Sequence, residues 1–354
     1  MRISLPRKPS RAPGVTAVIP CYNYGRYLGA ATASVLAQPG IDPRVIIVDD
    51  CSTDDSLAVA RSLATDDPRI SVISHEFNCG HIATYNDGLD AVKTEYVILI
   101  SADDLVAPGA LGRAATLLDT HPRVGMVYGQ PVEFSGESPT SDRDSRAPLT
   151  WTRWRGHEWI RLACARGRNF ILSPEVVLRT AAVRQIGGYR PEHPKSGDLE
   201  YWLRTAAEWD VGRINGRVQA FYRQHESNMH RVEYSTMALD LRHRLEAFRT
   251  LENTSLPASL VDRSRRALAR EALTLAEREL DSGGRRDVAR DLVEAAIDIR
   301  PLGGSTNRIR IRRLRLRLDR PNPEPRIFPN GIRESARVFA DRIRWRLWVH
   351  TGVS

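Results

Sequence analysis

Two pairs of adjacent aspartates carry the chemistry this sequence is able to do. Asp103-Asp104 follow the apolar run Tyr96-Val97-Ile98-Leu99-Ile100 after Ser101-Ala102, and Asp49-Asp50 follow Val45-Ile46-Ile47-Val48. Oxygen-only ligands suit a hard divalent cation, and such a cation most often carries a phosphate. A third acid, Asp198, stands in Lys195-Ser196-Gly197-Asp198-Leu199-Glu200-Tyr201-Trp202. One acidic pair alone reads as a helix cap or a solvated turn. Two pairs ending strands of one sheet must border the same crevice, the place where open α/β sheets bind ligands.

Alternating strands and helices position these acids. Val15–Ile19 reads as a first strand, stopped at Pro20, followed by a helix over about 27–38. Val45–Val48, Ile70–Ile73, Tyr96–Ile100 and Val124–Tyr128 are further strands. Ser52 resembles an N-cap for the helix carrying Leu57, Val59, Ala60, Leu63 and Ala64, a helix spans about 82–92, and Pro108 opens another that ends near His121-Pro122. Such alternation argues for a parallel sheet covered by helices on both faces. Residues 135–148 are polar and rich in Ser, Pro and Asp and read as a flexible loop. From about Val232 to Arg300 the apolar spacing is helical, with Gly283-Gly284 dividing two helices.

At 354 residues the chain has room for one large domain with an appendage, and 42% hydrophobic content supplies a sizeable core. The formal charge of +9 comes entirely from residues 301–354, which hold thirteen arginines against four acids. The basic balance therefore describes a tail and not the substrate of the main domain. In that tail Arg308–Leu318 alternates cationic and apolar residues; it suits an anionic membrane surface or a protein partner, and nucleic acid is not an expected partner. Four cysteines form no C-x-x-C pair, so neither a disulfide framework nor a zinc site is signalled. With no leader-like apolar stretch, the expected location is cytoplasmic, at most against the inner face of the membrane.

Five short motifs occur in order: Pro20-Cys21-Tyr22-Asn23; Val48-Asp49-Asp50-Cys51-Ser52; Asn78-Cys79-Gly80 with Asn86-Asp87-Gly88; Ser101-Ala102-Asp103-Asp104; and Gly197-Asp198 before Trp202-Leu203-Arg204. Together they resemble the family 2 glycosyltransferases of the GT-A fold, over about residues 13–230. The resemblance implies a Rossmann-like mixed α/β sheet with helices on both faces. A basic flexible N-terminus (1–12) would precede it, and a helical extension (231–300) and an Arg-rich amphipathic tail (301–354) would follow. It implies an inverting, metal-dependent enzyme that moves a sugar from a UDP- or dTDP-type donor to an acceptor hydroxyl. Pro20, Tyr22, Asn23, Asp50 and Asp103 would contact the donor, with Tyr22 stacked on the base and Asp50 accepting a hydrogen bond from it. Asp104 would be the main ligand of a Mg²⁺ or Mn²⁺ ion, with Asp103 and His225 beside it, and Asp198 would be the general base, Glu200 being the weaker alternative. Polysaccharide, cell-envelope and natural-product acceptors all remain open.

The metal motif departs from the family pattern at Ser101, where an acid is common, which leaves open a catalytically silent nucleotide-sugar-binding protein. A nucleotidyltransferase on a similar sheet needs a Gly-rich basic loop after the first strand, and Pro20-Cys21-Tyr22-Asn23-Tyr24 is not one. No G-x-G-x-x-G follows that strand, which argues against a dehydrogenase. Cys21, Cys51 and Cys79 read as small buried fillers at strand exits, and His81 as a plain loop histidine. Trp151, Trp154 and Trp159 suit either a sugar-stacking wall or the core.

Overall fold

The computed structural model describes residues 1–6, 12–139, 148–225, 236–301 and 305–319. The expected loop at 140–147 and the tail beyond residue 319 lie outside the described residues.

One ten-stranded mixed sheet forms the frame, in the order β1-β8-β10-β7-β9-β5-β2-β3-β4 with β6 paired to β10. Its strands are β1 (Arg2–Ser4), β2 (Gly14–Cys21), β3 (Asp42–Asp49), β4 (Ile70–Ser74), β5 (Tyr96–Leu99), β6 (Leu105–Val106), β7 (Val124–Phe134), β8 (Thr150–Trp154), β9 (Val177–Arg179) and β10 (Asp210–Arg223). Strands β5, β2, β3 and β4 run parallel, and β9 pairs antiparallel with β5 and β7. Helices α1 (Gly25–Leu36), α2 (Ser56–Asp66), α3 (His81–Asp90) and α4 (Ala110–Thr120) connect these strands. Then come α5 (Gly156–Arg166), α6 (Thr180–Ile186), α7 (Gly197–Glu208), α8 (Met237–Arg249), α9 (Ser259–Asp281), α10 (Arg286–Ile299) and α11 (Ser305–Asp319).

Side chains of a strand alternate between sheet faces, and the central strands are apolar on both. Ala17, Ile19, Val45, Ile47 and Ile98 join the cluster under α1 and α4. Their neighbours Val18, Ile46, Val48, Val97 and Leu99 join the other cluster, which continues through Trp159 and Trp202 into Phe248, Leu268 and Leu292 of α8, α9 and α10. The helical extension therefore shares the core of the sheet's second face. Helix α3 lies close on that face because residue 88 is glycine: a Cβ there would stand 2.3 Å from Cγ1 of Val18.

Three local expectations are corrected. Arg2–Ser4, placed in a flexible terminus, pairs antiparallel with β8. Helix α2 begins at Ser56 and not at Ser52; the Ser52 hydroxyl instead accepts from the Asn23 N–H at 3.0 Å. The alternating stretch Arg308–Leu318 is helical, with Leu314 and Leu318 buried while Ile309 and Leu316 face outward. Among the described residues no helix is long and apolar enough to cross a membrane.

Candidate active site

Parallel strands deliver their C-terminal ends to one edge, and β2 lies between β5 and β3. Neighbouring strands are about 4.8 Å apart, so the residues after β5 and β3 emerge about 10 Å from each other across the end of β2. The first contributes Asp103 and Asp104, the second Asp50, and β2 itself ends in Pro20 and Cys21. Tyr22, just past that end, is 44% exposed. Asn23 has its carbonyl oxygen committed to Thr53 N–H at 2.8 Å and Asp54 N–H at 3.3 Å, and its own backbone is left-handed at φ 61°. Through this side-chain oxygen, Oδ1, Asn23 ties the loop after β2 to the loop after β3.

Asp50 is held by its surroundings on nearly every side. Oδ1 accepts from Cys79 N–H at 2.7 Å and from His75 Nδ1 at 2.8 Å, and Oδ2 accepts from Gly80 N–H at 2.9 Å. Gly80 can aim that N–H because its φ of 82° is one that side-chain-bearing residues avoid. Burial works to raise the Asp50 carboxyl pKa, but the hydrogen bonds from His75, Cys79 and Gly80 outweigh it and hold the group below its ordinary value. His75 also reaches Asp87 Oδ2 through Nε2 at 2.9 Å. Burial lowers the His75 pKa, yet the two carboxylates win and raise it. Sequence reasoning passed over His75; the Asp87 of the Asn86-Asp87-Gly88 motif was the signal that pointed to it. Ligand atoms of Asp50, His75 and Cys79 lie within 4.8 Å of one another, but both nitrogens of His75 are already committed to carboxylates.

The second acidic pair is arranged differently from expectation. Asp104 turns inward: it is 1% exposed, and its Oδ1 accepts from the Arg223 N–H at 2.9 Å. Its Oδ2 has no hydrogen-bond partner among the described residues. Burial, then the charge of Asp103, pushes the Asp104 carboxyl well above its ordinary pKa. Asp103 faces His225, with Oδ2 at 2.8 Å from Nε2. Strand β6 explains this meeting, because it clips the turn to β10 through Ala220↔Val106 and Phe221↔Leu105, and β10 leads directly to His225. The Arg223 guanidinium donates to the Asp103 carbonyl at 2.8 Å and lies over the Tyr27 ring, and the His225 ring stacks on Tyr27 at 5.8 Å. Arg223 and Tyr27 gave no sequence signal beyond their place beside motif residues.

An oxygen and imidazole donor set backed by an unsatisfied buried carboxylate oxygen fits a hard divalent cation. The candidate set comprises Asp103 and His225, which face each other, and the unsatisfied Oδ2 of the inward-turned Asp104.

Asp198 lies in the first turn of α7, where a helix dipole favours negative charge. Its Oδ1 accepts from the Tyr189 hydroxyl at 3.1 Å, and Tyr189 stacks on Tyr201 at 4.3 Å. Burial, then the nearby Asp198 charge, pushes the Tyr189 phenol well up, so it stays a donor. The start of α3 joins this corner to Asp50. Gly80 donates to Asp50, His81 Nε2 donates to the Pro194 carbonyl at 3.1 Å, and Asn86 exchanges two hydrogen bonds with the Tyr189 backbone at 2.7 and 2.9 Å. Glu200 is excluded as a base: it is fully buried, paired with Arg204 at 3.0 Å and Arg190 at 3.3 Å, and accepts from the Thr250 hydroxyl. Trp151, Trp154 and Trp159 are all buried, so the core reading holds for them and the sugar-stacking wall does not. Cys51 and Cys79 are not buried fillers; only Cys21 of that trio is buried.

Comparison with known proteins bears on these features. Residues 16–178 match the model of Glycosyl transferase family 2. An uncharacterized glycosyltransferase of Nostoc sp. is 34% identical over 131 residues, which is 37% of this chain and 40% of that protein. Staphylococcus aureus TarS 1–349 in complex with UDP-GlcNAc superposes with a TM-score of 0.60 at 17% identity, covering 81% of this chain and 80% of that one. The mannosyltransferase PcManGT of Pyrobaculum calidifontis, in complex with GDP-Man and Mn²⁺, gives a TM-score of 0.52 at 16% identity and covers 90% of each chain. The first curated relatives are matched over 23%, 40% and 61% of their own lengths.

Proposed function

We propose that the chain, whose residues 16–178 match Glycosyl transferase family 2, is a member of that family and transfers a sugar from a nucleoside diphosphate sugar to an acceptor hydroxyl with inversion at C1. One observation carries the reading. Residues 79–86 touch both the Asp50 carboxylate and the Pro194–Tyr189 region that holds Asp198, so the base-recognition corner and the single candidate proton acceptor flank one short segment.

In this reading the donor base stacks on Tyr22 and donates to Asp50, and the diphosphate lies toward Asp103 and His225. Asp103 and His225, with Asp104 behind them, would hold a Mg²⁺ or Mn²⁺ ion, which would supply neutralisation of the charge that grows on the departing diphosphate, worth roughly several kcal/mol. Asp198 accepts the proton of the acceptor hydroxyl as that oxygen bonds to C1. The bond from C1 to the diphosphate oxygen breaks with its electron pair leaving on the nucleoside diphosphate. The Tyr189 hydroxyl keeps the Asp198 carboxylate oriented throughout. A single carboxylate that never bonds to the sugar implies one displacement, hence inversion.

The test is release of free nucleoside diphosphate from UDP- and dTDP-sugars in the presence of Mn²⁺, with and without a chelator. Release that the chelator abolishes supports the reading. Asp198→Asn is expected to bind donor as the wild type does and to lose about 10²–10⁴-fold in transfer rate. Near-normal transfer by that variant would remove Asp198 from its role.

A further inference from the structure

The loop between β4 and α3 places a histidine where it controls how many hydrogen bonds Asp50 has left to give. An ionised carboxylate offers about four lone-pair sites on its two oxygens. On Asp50, Cys79 N–H and His75 Nδ1 occupy two on Oδ1, and Gly80 N–H occupies one on Oδ2. Among the described residues this leaves one acceptor site, on Oδ2. The count depends on His75 staying where it is, and Asp87 holds it there from the other side at 2.9 Å. Carboxylates only accept, so a ring whose two nitrogens both meet carboxylates donates from both and is an imidazolium. The His75 and Asp50 side chains are 9% and 5% exposed, so little water competes for the contact between them.

We propose that His75, clamped between Asp50 and Asp87, is a positioning residue that sets base specificity: it leaves Asp50 a single acceptor site and so restricts the donor to a base presenting one ring N–H, as uracil and thymine do. Guanine presents two adjacent donors, a ring N–H and an amino group, which a carboxylate satisfies with both oxygens at once. With Oδ1 already filled, one of those donors is buried without a partner, which is the situation that makes polar discrimination strong. The inference rests on the nucleotide-sugar reading above and narrows it to pyrimidine donors. Solved structures similar to this chain hold both UDP-GlcNAc and GDP-Man, so the fold alone does not make this choice.

The groups facing His75 are Asp50 beyond β3 and Asp87 on α3. Cys79, at the start of α3, and Cys51, in the loop after β3, lie close by. Both carboxylates favour the charged ring, and a thiol carries no positive charge to oppose them. Pyrimidine-donor affinity is therefore present while His75 is protonated and declines as pH rises through its raised pKa.

The experiment is calorimetric titration of the full chain with UDP-glucose and GDP-glucose in Mn²⁺, between about pH 6 and 8. The two ligands share a sugar, and neither diphosphate carries a titrating terminal phosphate. UDP-glucose is expected to bind about tenfold or more tightly than GDP-glucose at the acid end. Its affinity falls toward the alkaline end. Asp87→Asn, at a side chain 53% exposed and so tolerant of exchange, moves that decline to lower pH while keeping the fold. His75→Ala flattens the pH profile and narrows the preference for uracil. Equal affinity for the two ligands in the wild type, or an Asp87→Asn profile superimposable on it, overturns the proposal while leaving sugar transfer standing. Binding of neither ligand overturns the nucleotide-sugar reading along with it.

Discussion

Asp49-Asp50 and Asp103-Asp104 are the same dipeptide at the same edge of the same sheet, yet their electrostatics are opposite. Asp50 receives three donors and its carboxyl is held low; Asp104 receives one and its carboxyl is pushed well up, chiefly by burial. The difference lies in what folds back over each turn. After β3 the chain returns as the start of α3 and points the N–H groups of Cys79 and Gly80 at Asp50. After β5 the β6 clip to β10 buries Asp104 and supplies only the Arg223 N–H, leaving Oδ2 unsatisfied. A carboxylate already satisfied by protein donors is suited to reading a neutral group such as a base edge. A buried pair of carboxylates short of donors, Asp104 behind Asp103, is suited to attract a cation at its more accessible member.

The largest expected effect tests the second corner. Asp103→Asn removes the acid that faces His225, and with it the charge that would hold a divalent ion. Stabilisation of several kcal/mol corresponds to a loss of more than about 10²-fold in kcat/KM, with excess Mn²⁺ restoring little. Asp104→Asn keeps an acceptor for the Arg223 N–H and exchanges a carboxyl that burial already drives toward its neutral form. Its loss of activity is expected to be the smaller of the two. Metal titrations that rank Asp104→Asn as the more damaging change would restore Asp104 as the principal ligand.

The first corner predicts a different kinetic signature. Asp50→Asn should raise the KM for donor about tenfold and leave kcat nearly unchanged, because base contact is made equally in the ground and transition states. A fall in kcat with unchanged KM would move Asp50 out of the binding role and erase the contrast between the corners.

How much of this was legible beforehand follows from the range of each interaction. The strands bearing both aspartate pairs were readable because their sides are apolar on both faces and their exits are polar, a pattern contained within ten residues. The order of the motifs named the fold. Three things were not readable. The inward turn of Asp104 depends on β6 pairing with β10 more than a hundred residues away, and two residues of strand carry no periodicity. That the side-chain oxygen of Asn23 ties to a loop thirty residues on depends on a contact no local pattern records. Cys51 and Cys79 looked like fillers by residue type, but at strand exits they fall outside the packed layer. Helix α2 starts at Ser56 because the Ser52 hydroxyl is used by Asn23 and so does not cap.

The smallest expected effect is on stability, and its pH dependence tests whether the His75 ring is charged. The Asp50 carboxyl is lowered on folding, so its contribution is present above the unfolded value near 3.8 and is lost as pH falls through the lower folded value. The His75 ring is raised, so its contribution is complete below the unfolded value near 6.5 and is lost as pH rises through the higher folded value. Between those limits the corner is at its most stable. Asp87→Asn weakens only the His75 half, through a partner that is half exposed, so the cost is about 1 kcal/mol or less. That corresponds to a fall in Tm of about 1–2 °C or less for a chain of this size. The gap between wild type and variant should be widest near pH 6, where the ring is charged in both. It should close at alkaline pH, where the ring is neutral in both and the lost carboxylate no longer matters. A gap that stays constant across this range, measured by calorimetry in matched buffers, means that Asp87 meets a neutral ring, and the Asp50 corner then has an acceptor count set by geometry alone.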